Sequence, residues 1–135
     1  MKSIIKTNTK KLLLSVYISD AENKRLCDVS QRFGIEVKAV GKECGAQKLG
    51  YLLGFRGFTQ TLGKEREVAD SCIVFSGIPS GELNAVLSAL REAGVVIPLK
   101  AVCTAYNQSW ELADLVDELA KEHETMSGGG RNEKA

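Results

Sequence analysis

The feature that most constrains the fold is a pattern that the chain repeats after about 60 residues. Each half shows an apolar run, a helix-periodic pattern ending in glycine, a second apolar run and a second helix-periodic pattern. Shifts of 60, 62 and 63 residues match Leu13 with Ile73, Gly34 with Gly94, residues 38–40 with residues 100–102 (Lys-Ala-Val in both), and Leu49 with Leu112. The halves indicate either an internal duplication or a chance similarity between two βαβ units.

The periodicities place each element along the chain. Runs of apolar or alternating residues predict strands, whereas apolar residues at i, i+3, i+4 and i+7 predict helices. The predicted strands cover residues 11–18, 35–40, 71–75 and 97–103, and the predicted helices cover residues 20–33, 46–53, 80–93 and 109–124. The polar, glycine-spotted stretch 54–70 is predicted to be a long loop.

This order of elements predicts an α/β fold in which two βαβα halves share one four-stranded sheet, because neither half can bury its apolar face alone. We favour a ferredoxin-like sheet, with the two units interlocked, over an open parallel sheet. A length of 135 residues suits one domain, predicted at residues 1–125. Residues 126–135 contain three consecutive glycines and are predicted to be a disordered tail.

Composition excludes several classes of function. The 18 basic and 17 acidic residues nearly cancel, whereas nucleic-acid binding usually needs a positive excess, so no nucleic-acid partner is expected. No apolar run has the length of a membrane span or a signal peptide. We therefore expect no membrane partner and a cytoplasmic location.

The cysteines do not have the spacing of a metal site. Their positions form no C-x-x-C pair, and His123 is the one histidine. No metal or cofactor is expected, and the thiols are expected to be reduced. Cys44, between Lys42 and Lys48, is a candidate nucleophile, because nearby cations favour a thiolate.

The glycine-rich stretch does not match a phosphate-binding loop. Such a loop has the pattern G-x-x-x-x-G-K-[ST], but five residues separate Gly57 from Gly63, and Glu65 stands where the hydroxyl is needed. A crossover loop is the simpler interpretation.

A polar segment at residues 98–110 is the main candidate binding surface. It follows the fourth predicted strand, and ligands of α/β sheets often lie where strands end and helices begin. The candidate residues are Lys100, Thr104, Asn107 and Trp110. The alternative is a structural turn held by Asn107 and Ser109, with Trp110 as a packing anchor.

The same segment carries a resemblance. The sequence Leu-Lys-Ala-Val-x-Thr-x-x-Asn-x-x-Trp at residues 99–110, within residues 75–119, resembles the bacterial domain-of-unknown-function family numbered 3783. That family often has Thr-Pro-Thr-Asn where this chain has Thr-Ala-Tyr-Asn, and losing the proline loosens the turn. Residues 34–54 resemble the segment that commonly precedes the domain. The resemblance implies a bacterial origin and supplies no activity.

Two functions remain open from the sequence. The first is a non-catalytic module that binds a small molecule or a protein. The second is an enzyme that uses Lys100 or Cys44 in a site at the end of the fourth strand.

Overall fold

A computed structural model of the chain describes residues 10–134. Four strands and four α-helices lie in this part of the chain, in the order that the sequence predicts. The strands are β1 (Leu12–Val16), β2 (Glu36–Val40), β3 (Cys72–Ser76) and β4 (Lys100–Val102). The helices are α1 (Asp20–Arg32), α2 (Leu49–Leu52), α3 (Ser80–Glu92) and α4 (Leu112–Lys134), and a 3₁₀ turn spans Lys42–Ala46.

The sheet has the order β2-β1-β3-β4, with β1 parallel to β2, β3 parallel to β4, and β1 antiparallel to β3. The predicted α/β class with a shared four-stranded sheet is confirmed. The favoured ferredoxin-like interlocking requires correction, because there each unit would have a strand of the other unit between its own two strands. The open parallel sheet is excluded by the antiparallel centre.

Burial explains this order of strands. Every residue of β1 and β3 is buried, so these two strands need cover on both faces and lie in the middle of the sheet. In the edge strands β2 and β4, every residue is at least partly exposed. Each 13-residue helix connects adjacent parallel strands, so each βαβ unit is complete in itself.

The two faces of the sheet have separate apolar cores. Alternate residues of a strand point to opposite faces. Leu13 and Phe75 therefore pack under α1 and α3, whereas Leu14 and Val74 pack under α2 and α4. Each core includes residues from both halves of the chain, so the halves fold as one unit.

The central pairing relates the two halves by an approximate two-fold axis. Leu14 lies opposite Val74, exactly 60 residues further along, in the middle of the β1–β3 ladder. The residue after each of these strands has a positive φ, 55° at Tyr17 and 75° at Gly77. Such a backbone is costly for a tyrosine and easy for a glycine, so the shared turn conformation is a specific similarity between the units. Duplication remains an interpretation.

The repeated Lys-Ala-Val is not a structural equivalence. Leu13 pairs with Val37 and Ile73 pairs with Lys100, so the outer strands correspond with an offset of 63 residues rather than 62. The one-residue difference turns Lys38 and Lys100 toward opposite faces of the sheet.

The last helix differs from its predicted bounds at both ends. It begins at Leu112 rather than residue 109, because the backbone of residues 108–112 is hydrogen-bonded to residues 47–50. It extends to Lys134 and so includes most of the predicted tail. A disordered segment at residues 126–135 stays a prediction, which a deletion below would test.

Candidate functional site

The turn after β4 uses its polar side chains internally. The Thr104 hydroxyl accepts hydrogen bonds from the backbone N–H groups of Tyr106 and Asn107, both at 3.1 Å. The Asn107 side chain accepts from the Thr104 N–H at 2.8 Å and donates to the Val102 carbonyl at 3.1 Å. Both the oxygen and the nitrogen of the Asn107 side-chain amide are therefore hydrogen-bonded. Thr104 and Asn107 together close this turn, in which the family often has a proline.

Trp110 lies just before α4 and packs, partly buried, against the core under α2 and α4. Its ring meets Tyr106 edge-on, with centroids 5.6 Å apart and planes at 66°. Its carbonyl accepts a hydrogen bond from the Leu49 N–H at 3.0 Å. These contacts fit the structural alternative, in which Trp110 joins the α2 region to the start of α4.

Lys100 points to the opposite side of the sheet from Trp110. It pairs with Ile73, whose side chain packs under α3, and its Nζ donates to the Ile97 carbonyl at 2.8 Å. The four candidate residues therefore do not form one surface. Thr104 and Asn107 hold a turn, Trp110 packs on one face of the sheet, and Lys100 lies on the other.

Lys100 lies instead at the rim of an open cleft of about 310 Å³ between α3 and β4, which we call the α3–β4 cleft. Apolar side chains from the helix, β3 and the segment before β4 line it, and Arg91 joins Lys100 as its second charged residue. None of the described residues that line it is acidic. The apolar lining consists of Ile73, Leu87, Leu90, Val95, Val96, Ile97 and Pro98.

The cleft adjoins a connection that is longer in the second βαβ unit than in the first. Gly34 and Gly94 end equivalent helices with positive φ values of 71° and 85°. Val37, three residues after Gly34, is equivalent in the sheet to Lys100, which is six residues after Gly94. The second unit thus has three additional residues, and they leave Val96 73% exposed at the cleft.

The cleft could not be predicted while the fourth strand was expected to begin at residue 97. The ladder begins only at Lys100, so residues 97–99 belong to the connection. The sequence does contain a signal for the longer connection. The two halves match with an offset of 60 residues at Gly34 and Gly94, but with an offset of 63 at Leu49 and Leu112. An offset that changes along the chain indicates an insertion.

Comparison with known families bears on this half of the chain. Residues 71–126 match the family model described as a domain of unknown function, DUF3783. We call residues 71–126 the DUF3783 segment. The match confirms the resemblance found in residues 75–119. No curated protein and no solved structure matches the chain.

The DUF3783 segment contains every residue of the α3–β4 cleft. It spans β3, α3, β4 and the beginning of α4, whereas β1, α1, β2 and α2 lie before it. The three-residue insertion therefore lies within the DUF3783 segment.

No helix in the described part of the chain is long and apolar enough to cross a membrane.

The candidate nucleophile Cys44 lies outside the DUF3783 segment. Burial raises the pKa of its thiol, and the carboxylate of Glu43 raises it further. The expected activation by Lys42 and Lys48 is wrong, because burial and Glu43 raise this pKa and neither lysine contributes to lowering it. A thiol that stays protonated at neutral pH is a poor nucleophile.

Burial also affects the thiols of Cys72 and Cys103. Burial raises the pKa of Cys72 to about 12 and that of Cys103 to about 11. All four cysteines are free. Among the side chains that the structure describes, no three His, Cys, Asp or Glu residues come together as a metal site.

The loop before the DUF3783 segment is attached to the domain along its length. The Gln47 side chain bonds both backbone groups of Thr61, at 2.8 and 3.1 Å. Further along, Arg66 forms ion pairs of 2.8 and 2.9 Å with Glu111 and Asp114. Arg66 is thus paired with carboxylates of the α4 region, which agrees with the rejection of a phosphate loop.

Proposed function

We propose that this chain is a non-catalytic module that binds a small ligand in the α3–β4 cleft. The observation that carries the proposal is the three-residue insertion beside the cleft, which one βαβ unit has and the other lacks. A cavity of 310 Å³ is at the lower end of small-molecule sites, which range from about 300 to 1,000 Å³. Its apolar lining with a few polar groups has the composition of such sites.

The outer edge of β4 argues for a small ligand over a protein that adds a strand. Leu99 and Cys103 bond with β3, so by alternation the backbone groups of Lys100 and Val102 face outward. The Val102 carbonyl is already bonded by Asn107. Pro98 has no N–H to offer, and a lysine on a three-residue edge strand is a common protection against strand addition.

The candidate nucleophiles support a binding role over the enzyme alternative. The raised pKa of Cys44 weakens its thiol. Lys100 donates to the Ile97 carbonyl, and the described residues that line the cleft include no carboxylate or histidine to act with it as an acid or base.

The expected setting belongs to the same proposal. The resemblance supports a bacterial origin, and four free cysteines support a reducing compartment such as the cytoplasm. The near-balance of charge supports a partner other than nucleic acid.

A small-molecule screen by saturation-transfer NMR tests the proposal with two matched variants. Leu87→Trp places a large indole ring in the cleft. Leu62→Trp makes the same change at a loop residue that is 79% exposed and does not line the cleft. Hits that bind the wild type and Leu62→Trp, but not Leu87→Trp, support the cleft. Urea midpoints confirm that both variants are folded.

Two results would overturn the proposal. One is a set of hits that Leu87→Trp binds unchanged. The other is a hit that the protein converts into a new product at a rate abolished by Lys100→Met or Cys44→Ala, which would establish the enzyme alternative.

A further inference from the structure

The two charged residues of the α3–β4 cleft are both cations, and both are specific to the second βαβ unit. The equivalent positions in the first unit are occupied by Gln31, 60 residues before Arg91, and by Val37, the sheet counterpart of Lys100. The two units thus differ in charge at the same place where they differ in length.

Among the described residues, no carboxylate forms an ion pair with either cation. Within the described residues, the ion pairs involve Lys10, Lys11, Lys42, Lys64 and Arg66, and neither Arg91 nor Lys100 takes part in one. Lys100 is held in place by a neutral carbonyl, which leaves its charge uncompensated. Positive charge beside an apolar, open surface attracts a ligand that is itself anionic and apolar.

We propose that the ligand of the α3–β4 cleft is a small amphipathic anion. This inference rests on the proposed function and names its ligand class. The anionic headgroup, a carboxylate or a phosphate monoester, lies at Arg91 and Lys100. The apolar tail lies along Leu87 and Pro98, which line the cleft and keep part of their apolar surface exposed to water.

Four probes separate the contributions of charge and tail. Octanoate and octyl phosphate carry both, 1-octanol carries only the tail, and acetate carries only the charge. Each is titrated into the full chain below its micelle concentration, and ¹H–¹⁵N correlation spectra record the backbone amides of residues 87–100. Both octyl anions should shift these amides saturably and bind more tightly than 1-octanol or acetate, and their relative affinities identify the headgroup.

A charge swap at Val96 provides the sharpest control. Because this side chain is 73% exposed, Val96→Lys and Val96→Asp should fold alike. We expect Val96→Asp to weaken octanoate binding about fivefold and Val96→Lys to strengthen it by a similar factor, which is the size of a surface ion pair. Binding of 1-octanol should stay within about twofold in both variants, because it carries no charge to be screened or repelled.

Removal of Arg91 has a matched control in the first unit. Arg91→Gln should weaken octanoate binding about fivefold. Arg32→Gln, which removes an exposed arginine from the last turn of α1, should leave it unchanged.

The outcomes distinguish this inference from the proposed function. If 1-octanol binds the cleft as tightly as octanoate and ignores the Val96 swap, the anion inference is overturned and the cleft remains a binding site. If acetate reproduces the octanoate shifts with equal affinity, the tail has no role and the inference is likewise overturned. If no probe shifts residues 87–100, the anion inference is overturned, and the screen with Leu87→Trp still decides the proposed function.

Discussion

At the scale of single residues, the polar residues around the end of β4 have different roles: some hold the turn, and one lines a cleft. Thr104 and Asn107 satisfy each other and the end of the strand, so their hydrogen bonds are directed inward. Lys100 is the candidate residue that lines the α3–β4 cleft. The sequence indicated which residues are unusual for a strand end, but not which face each would take, because that depends on the register of β4.

Trp110 provides the test at this scale. Because its ring is only partly buried, Trp110→Ala should lower the free energy of unfolding by about 2–3 kcal/mol, less than the roughly 3–5 kcal/mol of a fully buried ring. Tyr106 touches the same ring but is 77% exposed, so Tyr106→Ala should cost less than about 1 kcal/mol. Urea unfolding followed by circular dichroism measures both, and equal losses would contradict the anchor role.

At the scale of elements, the order of helices and strands along the chain could be predicted, but the strand that each strand pairs with in the sheet could not. The apolar runs that become β1 and β3 show burial on both faces, and this property is the same for a strand with parallel or antiparallel neighbours. The sequence therefore could not distinguish a ferredoxin-like sheet from the mixed order that forms. The cleft was missed because residues 97–99 were predicted to be part of the fourth strand, although β3 pairs only with residues 100–102 of that region.

The long loop offers a test of one element's attachment. Glu111 accepts hydrogen bonds from Lys64 at 2.7 Å and Arg66 at 2.8 Å, and these bonds hold the pKa of its carboxyl below the usual value. A carboxyl pKa that is lower in the folded chain stabilises the fold above the unfolded pKa, and this stabilisation is lost as pH falls through the folded pKa. The attachment of the loop should therefore weaken in acid.

Glu111→Gln should reproduce the acid state at neutral pH. We expect faster hydrogen exchange at the amides of Thr61 and Val68, which are bonded across the loop. The variant and the wild type should converge only as the pH falls through the lowered pKa of Glu111. Asp117→Asn is the control, because Asp117 lies 3.7 Å from Arg66 and should affect exchange much less. Unchanged exchange in Glu111→Gln at pH 7 would show that the Gln47 bonds hold the loop alone.

At the scale of the whole molecule, the end of the chain is expected to contribute little. Residues 126–135 include three consecutive glycines, which disfavour helix, and no large apolar side chain after Met126. Deleting residues 126–135 should change the thermal midpoint by less than about 2 °C, because a shift of about 4–8 °C corresponds to 1 kcal/mol in small domains. A larger drop in a calorimetric scan would show that the segment packs against the fold.

The match to DUF3783 covers less than the folded unit, and this sets the last test. Residues 71–126 alone would keep β3, α3 and β4 but lose β1, leaving β3 as an exposed edge strand whose every residue is apolar or small. They would also lose Leu49 and Leu52, which pack beneath α4.

The fragment 71–126 should therefore not fold as a monomer. Because β1 and β3 pair antiparallel about Leu14 and Val74, a second copy of β3 can take the place of β1, with Val74 opposite Val74. We expect helical signal that grows with concentration and a dimer by light scattering, whereas Val74→Lys, which places a charge at the centre of that pairing, should leave the fragment unfolded at all concentrations. A folded monomer with dispersed amide resonances would instead show that the second βαβ unit is autonomous and that the first half serves only to extend its sheet.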